Sequence, residues 1–142
     1  MPSRLRIPAA TRREVARRAG YRCSYCRSPE IVGIPMVVDH ILPLAAGGSS
    51  DAANLCLSCY RCNEFKHARV DVPDPLSGLR VALFNPSSHV WNDHFVWIDD
   101  GLHIDGLTAT GRATIEALRL NNDWIVQARR IWMLAGLHPP LD

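Results

Sequence analysis

From residue 34 to 42 the chain is apolar and β-branched, with Pro35 near the start and Pro43 just beyond the end, which predicts a strand over residues 36–41. Upstream, Thr11 followed three positions later by Glu14 reads as a capping box that opens a short helix through residue 19, with Gly20 as its stop. Residues 47–51, Gly-Gly-Ser-Ser-Asp, must form a loop. Residues 55–58 are again largely apolar and lead into a helix over residues 59–68, which Pro73 and Pro75 close off. In the second half, residues 95–98, an Asp100-Gly101 turn and residues 102–104 read as a hairpin. Two helices should follow: Thr110 caps residues 112–120, and Asp123 caps residues 124–135, with Gly136 as stop. In the last of these, Trp124, Ala128, Ile131, Trp132 and Ala135 fall at helical spacing and are expected to face the core. The pattern is that of an α+β protein. We expect a first unit over residues 1–72 and a C-terminal α+β extension over residues 73–142, a hairpin and two helices packed on the first.

Composition adds a class and a charge distribution. The 142 residues are 47% hydrophobic and 21% charged, ordinary for a globular cytoplasmic protein, and no apolar run reaches the 18 or more residues of a membrane span. Residues 1–20 are arginine-rich and lack the apolar stretch of a secretory signal. The net charge of +2 is modest, but eight arginines (Arg4, Arg6, Arg12, Arg13, Arg17, Arg18, Arg22, Arg27) stand in the first 27 residues against the single acid Glu14. Such a field suits a phosphate backbone, which the planar guanidinium grips in a bidentate way. A solvated helix face in a chain that uses arginine almost to the exclusion of lysine explains the same run equally well.

The cysteines carry a stronger signal. Cys23-Ser24-Tyr25-Cys26 and Cys59-Tyr60-Arg61-Cys62 are two Cys-x-x-Cys knuckles, and two such knuckles supply the four thiolates of a tetrahedral structural zinc. A disulfide framework would leave one of the five cysteines unpaired. Cys56, outside both knuckles, reads as a small buried hydrophobe.

A second constellation overlaps the first. Asn63 and His67 are four residues apart and would share one face of the predicted helix, with Lys66 beside Asn63. Asp39 can meet them from the strand. A carboxylate and an amide carbonyl are hard oxygen donors suited to Mg²⁺ or Mn²⁺, which would take further ligands from water and substrate phosphate. His40 is a natural general base for an attacking water. Adjacent strand residues point to opposite faces, so Asp39 and His40 can address one phosphate only where the strand ends or twists. Pro43 and the glycine loop permit that, and Asn54 could pin the loop through backbone groups near His40.

Taken in order, Cys-x-x-Cys, Asp39-His40-Ile41-x-Pro-Leu with its Gly-Gly loop, Asn54-Leu55, and Cys-x-x-Cys-Asn63-x-x-Lys66 resemble the HNH endonuclease family in its zinc-containing, Asn-terminated form, over roughly residues 10–70. The resemblance implies a ββα-metal fold around one catalytic divalent ion. It implies His40 as general base, Asp39 and Asn63 as metal ligands, Asn54 as the residue that orients the loop, and Cys23, Cys26, Cys59 and Cys62 as ligands of structural zinc. The implied reaction is hydrolysis of DNA, double-stranded by expectation, leaving 5′-phosphate and 3′-hydroxyl ends. Many relatives carry His where this chain has Asn63; His67 is the nearest residue that could add a ligand. Lys66 fits a phosphate contact or a structural partner better than a catalyst, and His89, His94, His103 and His138 match no motif. The competing reading is a zinc-stabilised nucleic-acid-binding module without catalysis, and the C-terminal half leaves room for a protein partner.

Overall fold

The computed structural model describes residues 6–141; Arg4, among the arginines singled out above, lies outside that span. Among the described residues the architecture is α+β, with five α-helices and three separate two-stranded antiparallel sheets. Helix α1 (Ala9–Arg18) leads through the first cysteine knuckle to β1 (Met36–His40), which pairs with β2 (Leu55–Cys59), followed directly by α2 (Tyr60–Lys66). A small hairpin of β3 (Asp71–Pro73) and β4 (Arg80–Ala82) comes next, then the short helix α3 (Trp91–His94). Strands β5 (Phe95–Ile98) and β6 (His103–Gly106) form the third sheet, and α4 (Ala109–Leu118) and α5 (Asp123–Leu134) complete the chain.

The β1–β2 hairpin separates two apolar layers, as strand alternation requires. Leu55 and Leu57 pack with Ile7 and Val15, so this face lies against α1, with Met36 and Val38 of β1 joining it. Cys56, one residue out of phase, belongs to the main core. That core is continuous through the chain: Cys23, Tyr25, Cys26, Cys59 and Cys62 pack in one cluster with Val72, Phe84, Trp91, Phe95, Ile104 and Leu118. The Trp91 indole N–H donates to the Tyr25 carbonyl at 3.0 Å, and Arg22 Nη2 donates to the Leu137 carbonyl at 2.7 Å. The expected division between residues 72 and 73 falls inside β3.

Several boundaries differ from the sequence reading, for local reasons. Helix α1 starts at Ala9 after Pro8, so Thr11 lies inside the first turn and caps nothing. Glu14 pairs instead with Arg17, at 2.7 Å. Helix α4 is capped by Thr108, whose hydroxyl accepts from the Gly111 N–H, while Thr110 donates to the Ala82 carbonyl. Helix α5 is capped by Asn122, which accepts from the Ile125 N–H, one residue before the expected Asp123. The apolar stripe assigned to the core of α5 is mostly outside: Trp124 is 76% and Ile131 64% exposed, and only Trp132 is buried. Inside sits Arg129, fully buried, which donates to the Leu102 and Leu120 carbonyls at 2.8 and 2.6 Å and lies 5.1 Å over the Trp97 ring. Burial lowers its guanidinium to about 10, so it remains a cation at neutral pH.

Candidate active site and metal centre

The two knuckles meet. Sγ atoms of Cys23, Cys26, Cys59 and Cys62 all lie within 4.8 Å of one another and all four residues are buried. Sulfurs of Cys26 and Cys59 stand 3.7 Å apart, far beyond a disulfide bond and close to the ~3.8 Å edge of a tetrahedron with Zn–S bonds of ~2.3 Å. The second knuckle forms at the start of α2, where Cys59 Sγ accepts from the Cys62 N–H and so caps the helix with a ligand atom. The four sulfurs therefore fit a metal held in a tetrahedron of thiolates. Cys56 stays outside this cluster: its S–H points to the Tyr25 hydroxyl at 3.6 Å, and burial pushes its thiol up to about 12, which keeps it neutral.

The end of β1 presents the other predicted residues. Asp39 turns toward α2, where the Lys66 ammonium lies 3.1 Å from its Oδ2, with Lys66 2% and Asp39 10% exposed. That contact has ion-pair distance without hydrogen-bond geometry, and Oδ2 is a buried oxygen with no hydrogen-bond donor. Burial raises the Asp39 carboxyl above the ordinary carboxylate range while the ammonium of Lys66 pulls it back down. Lys66 also donates to the His40 carbonyl at 3.1 Å, so one buried ammonium fixes both residues of the pair. His40, the last residue of β1, directs its ring the other way, and its Nε2 meets the Ser50 hydroxyl at 3.0 Å. The strand ends there, with the two neighbours engaged on opposed sides, Asp39 by Lys66 of α2 and His40 by Ser50 of the loop.

The loop from residue 42 to 54 is closed by Asn54. Its side-chain oxygen accepts from the Leu42 N–H at 2.8 Å, its amide donates to the carbonyls of Leu42 and Ser49 at 3.0 and 2.8 Å, and its own carbonyl accepts from Ile41 N–H at 2.8 Å. This clamp needs Gly48, because a Cβ there would lie 1.8 Å from the Leu42 carbonyl oxygen. Arg18 of α1 braces the same turn through the carbonyls of Ala52 and Leu55. That arginine is thus spoken for, as is Arg22; Arg6, Arg12, Arg13 and Arg17 keep exposed positions.

Helix α2 is shorter than predicted. It ends at Lys66, and His67 caps it with a left-handed φ of 54°, so the four-residue helical spacing does not align His67 with Asn63. His67 is exposed, and it nonetheless borders one shallow cavity with Tyr60, Asn63, Glu64 and Ala68. Asn63 lies one turn before Lys66 on α2. The structure thus brings Asp39, His40 and Lys66 into direct contact, sets Asn54 behind them as the clamp of the loop, and places Asn63 with His67 on the adjoining surface. Ser50 was missed in the sequence, because a serine in a Gly-Gly-Ser-Ser run looks like any solvated loop residue.

Oxygen donors at Asp39 and Asn63 match the chemistry of a hard divalent cation, and Oδ2 of Asp39, which lacks a hydrogen-bond donor but is paired with the Lys66 ammonium, is the atom for which such an ion would compete with Lys66. The model of the HNH endonuclease family matches residues 23–69, a span that contains both knuckles, both strands of the hairpin and all of α2. No curated protein and no solved structure matches the chain.

Proposed function

We propose, for a chain whose residues 23–69 match the HNH endonuclease family, that this protein is a divalent-metal-dependent endonuclease hydrolysing DNA phosphodiester bonds to 5′-phosphate and 3′-hydroxyl ends. The observation that carries the reading is the strand end itself: a carboxylate whose buried Oδ2 has an ion-pair partner but no hydrogen-bond donor, next to a half-buried histidine whose Nε2 is already occupied. A structural zinc fold needs neither.

In this mechanism the Ser50 hydroxyl at Nε2 leaves Nδ1 of His40 to take the proton of the attacking water, in line with the leaving 3′-oxygen. Lys66 holds the Asp39 carboxylate in place and anchors the backbone beneath His40. Asn54 keeps the loop that carries Ser50 at its distance from the ring. A Mg²⁺ or Mn²⁺ ion held by Asp39 and Asn63, with His67 as a further candidate ligand, would supply charge stabilisation for the pentacoordinate phosphate and the departing oxygen. Zinc on the four cysteines is structural, because a closed thiolate tetrahedron leaves no position for water or substrate. Exposed arginines of α1 would hold flanking phosphates of double-stranded DNA without reading sequence. A cytoplasmic setting suits five reduced thiols.

One observation favours the alternative, a zinc-stabilised nucleic-acid-binding module: Lys66 already neutralises the carboxylate that would bind the ion. Conversion of supercoiled plasmid by zinc-loaded protein separates the two. Cleavage that requires Mg²⁺ or Mn²⁺, stops in EDTA and is lost in His40→Ala supports the nuclease. Tight, salt-sensitive DNA binding with no divalent-dependent product assigns the module.

A further inference from the structure

Between the zinc knuckles and the C-terminal helices lies a groove of about 400 Å³ that the reaction does not use. Its walls are apolar, built from Ile34, Pro35, Leu118, Leu120, Ile125 and Trp132. Two aromatic side chains stand at its lip in solvent: Tyr60 is 56% exposed and Trp124 76%. Exposing a tryptophan and a tyrosine beside an apolar slot gives up burial that either ring would otherwise gain, so the surface is shaped for something that stacks.

The rim is cationic. Arg61 and Arg119 border the groove, and among the described residues none that lines it is acidic. Arg61 Nη1 donates to Asn122 Oδ1 at 3.2 Å, and the same oxygen caps α5, so this guanidinium is held at the groove by a helix terminus. Arg119, in a left-handed conformation with φ 52°, places its guanidinium 5.2 Å over the Phe65 ring. Charge and shape together favour a ligand with a flat π-face and an attached anion.

The groove also adjoins the strand end. Tyr60, the first residue of α2, borders both this groove and the shallow cavity that holds Asn63 and His67. Asn63 lies three residues further along the same helix, about 4.5 Å along its axis. A strand whose phosphate reaches Asn63 would have a neighbouring nucleotide at Tyr60.

We propose that this groove is a nucleobase subsite, taking one unpaired base of the strand that crosses the Asp39–Asn63 site, stacked between Tyr60 and Trp124 with its phosphate near Arg61 and Arg119. The base must be unpaired because a paired one offers no free face and a duplex does not enter a slot of this volume. The assignment rests on the nuclease reading for its strand and adds a substrate class to it: nucleic acid with a single-stranded segment beside the scissile bond.

Fluorescence anisotropy tests this with full-length, zinc-loaded protein and no added Mg²⁺, comparing a labelled single strand with its duplex. Trp124→Ala should weaken single-strand binding by about tenfold, the worth of one base stacked on an aromatic ring, and leave duplex binding unchanged. Trp124→Phe, which keeps a stacking face, should restore most of the loss. Equal binding of the single strand by wild type and Trp124→Ala overturns the subsite, as does equal weakening on both nucleic acids. A change of Trp124→Ala from dimer to monomer in sedimentation also overturns it, because the groove would then cover a second copy. The outcomes separate the two proposals: plasmid cleavage with an unaffected Trp124→Ala removes the subsite alone, whereas absence of any cleavage removes the nuclease while the stacking result still stands.

Discussion

Lys66 is buried, charged and in contact with the two residues on which the proposed chemistry depends. Replacing it by methionine keeps most of the volume but strips a buried carboxylate of its counter-charge, a change that costs on the order of 3 kcal/mol when one member of a buried pair is removed. We expect Lys66→Met to lower the thermal midpoint, and Mg²⁺ to recover part of the loss if the ion binds Asp39, because the cation then takes over the ammonium's role. Midpoints measured with and without Mg²⁺ in wild type and variant check this; a loss that Mg²⁺ leaves untouched argues against Asp39 as a ligand. At this scale the sequence was an uneven guide. Asp39, His40, Asn54 and the four knuckle cysteines stand out by their order and spacing, since few folds need that series. Ser50 does not, because its role depends on where the loop over residues 41–54 returns to the strand, and no local pattern encodes that return.

Among elements, the loop between β1 and β2 is the piece most tightly specified. Gly48 permits the Leu42 carbonyl to approach the backbone, and Asn54 then bonds to both sides of the loop. Gly48→Ala puts a methyl group into that carbonyl, so Ser50 should move away from the His40 ring. A shift of about 1 Å at a catalytic group can cost ~100-fold, and we expect a loss of that order in kcat with the zinc site still formed. Plasmid cleavage and zinc stoichiometry measured on one preparation give both numbers. The hairpins and helices around the site were legible where turn residues and apolar runs were long enough: β1, α2, β5 and the final two helices all lie close to their predicted spans. The β3–β4 hairpin was not, since its strands have three residues each and include Pro73. The caps of α4 and α5 were misread by one or two residues because Thr108 competes with Thr110 and Asn122 with Asp123, and only geometry decides between equal capping chemistries. Periodicity found the apolar stripe of α5 but not the side on which it lies; Arg129 takes the inside because the Leu102 and Leu120 carbonyls there need donors.

Two devices tie the molecule together, and each makes a measurable prediction. Asp74, fully enclosed, accepts from Arg112 through both carboxylate oxygens and from the N–H groups of Leu76 and Ser77, which joins the β3–β4 turn to α4. The Arg112 guanidinium, with the Ser77 hydroxyl, holds its carboxyl far below the usual range. A depressed folded pKa contributes stability above the unfolded value, about 3.9, and loses it as pH falls below that value. Urea midpoints of wild type and Asp74→Asn should therefore differ at neutral pH, and the gap should begin to narrow only as pH falls below about 4. The second device is the cluster of four cysteines positioned to hold a metal. Because the four cysteines share one core with Trp91, Phe95 and Leu118, strong chelation should abolish the near-ultraviolet circular dichroism of the C-terminal tryptophans along with the first half's structure. A near-ultraviolet spectrum that survives chelation would mean that the second half folds without the knuckles.

The hydrogen bond from the Trp91 indole to the Tyr25 carbonyl crosses from the second half of the chain into the first cysteine knuckle, within a core that neither half completes. For anyone wishing to excise the segment that matches the family, this means that residues 23–69 are not a portable cassette. Grafted alone onto another protein, they would leave behind Trp91, Phe95 and Leu118, which pack in the same core as the four cysteines, so a transferable unit has to bring the C-terminal share of that core with it.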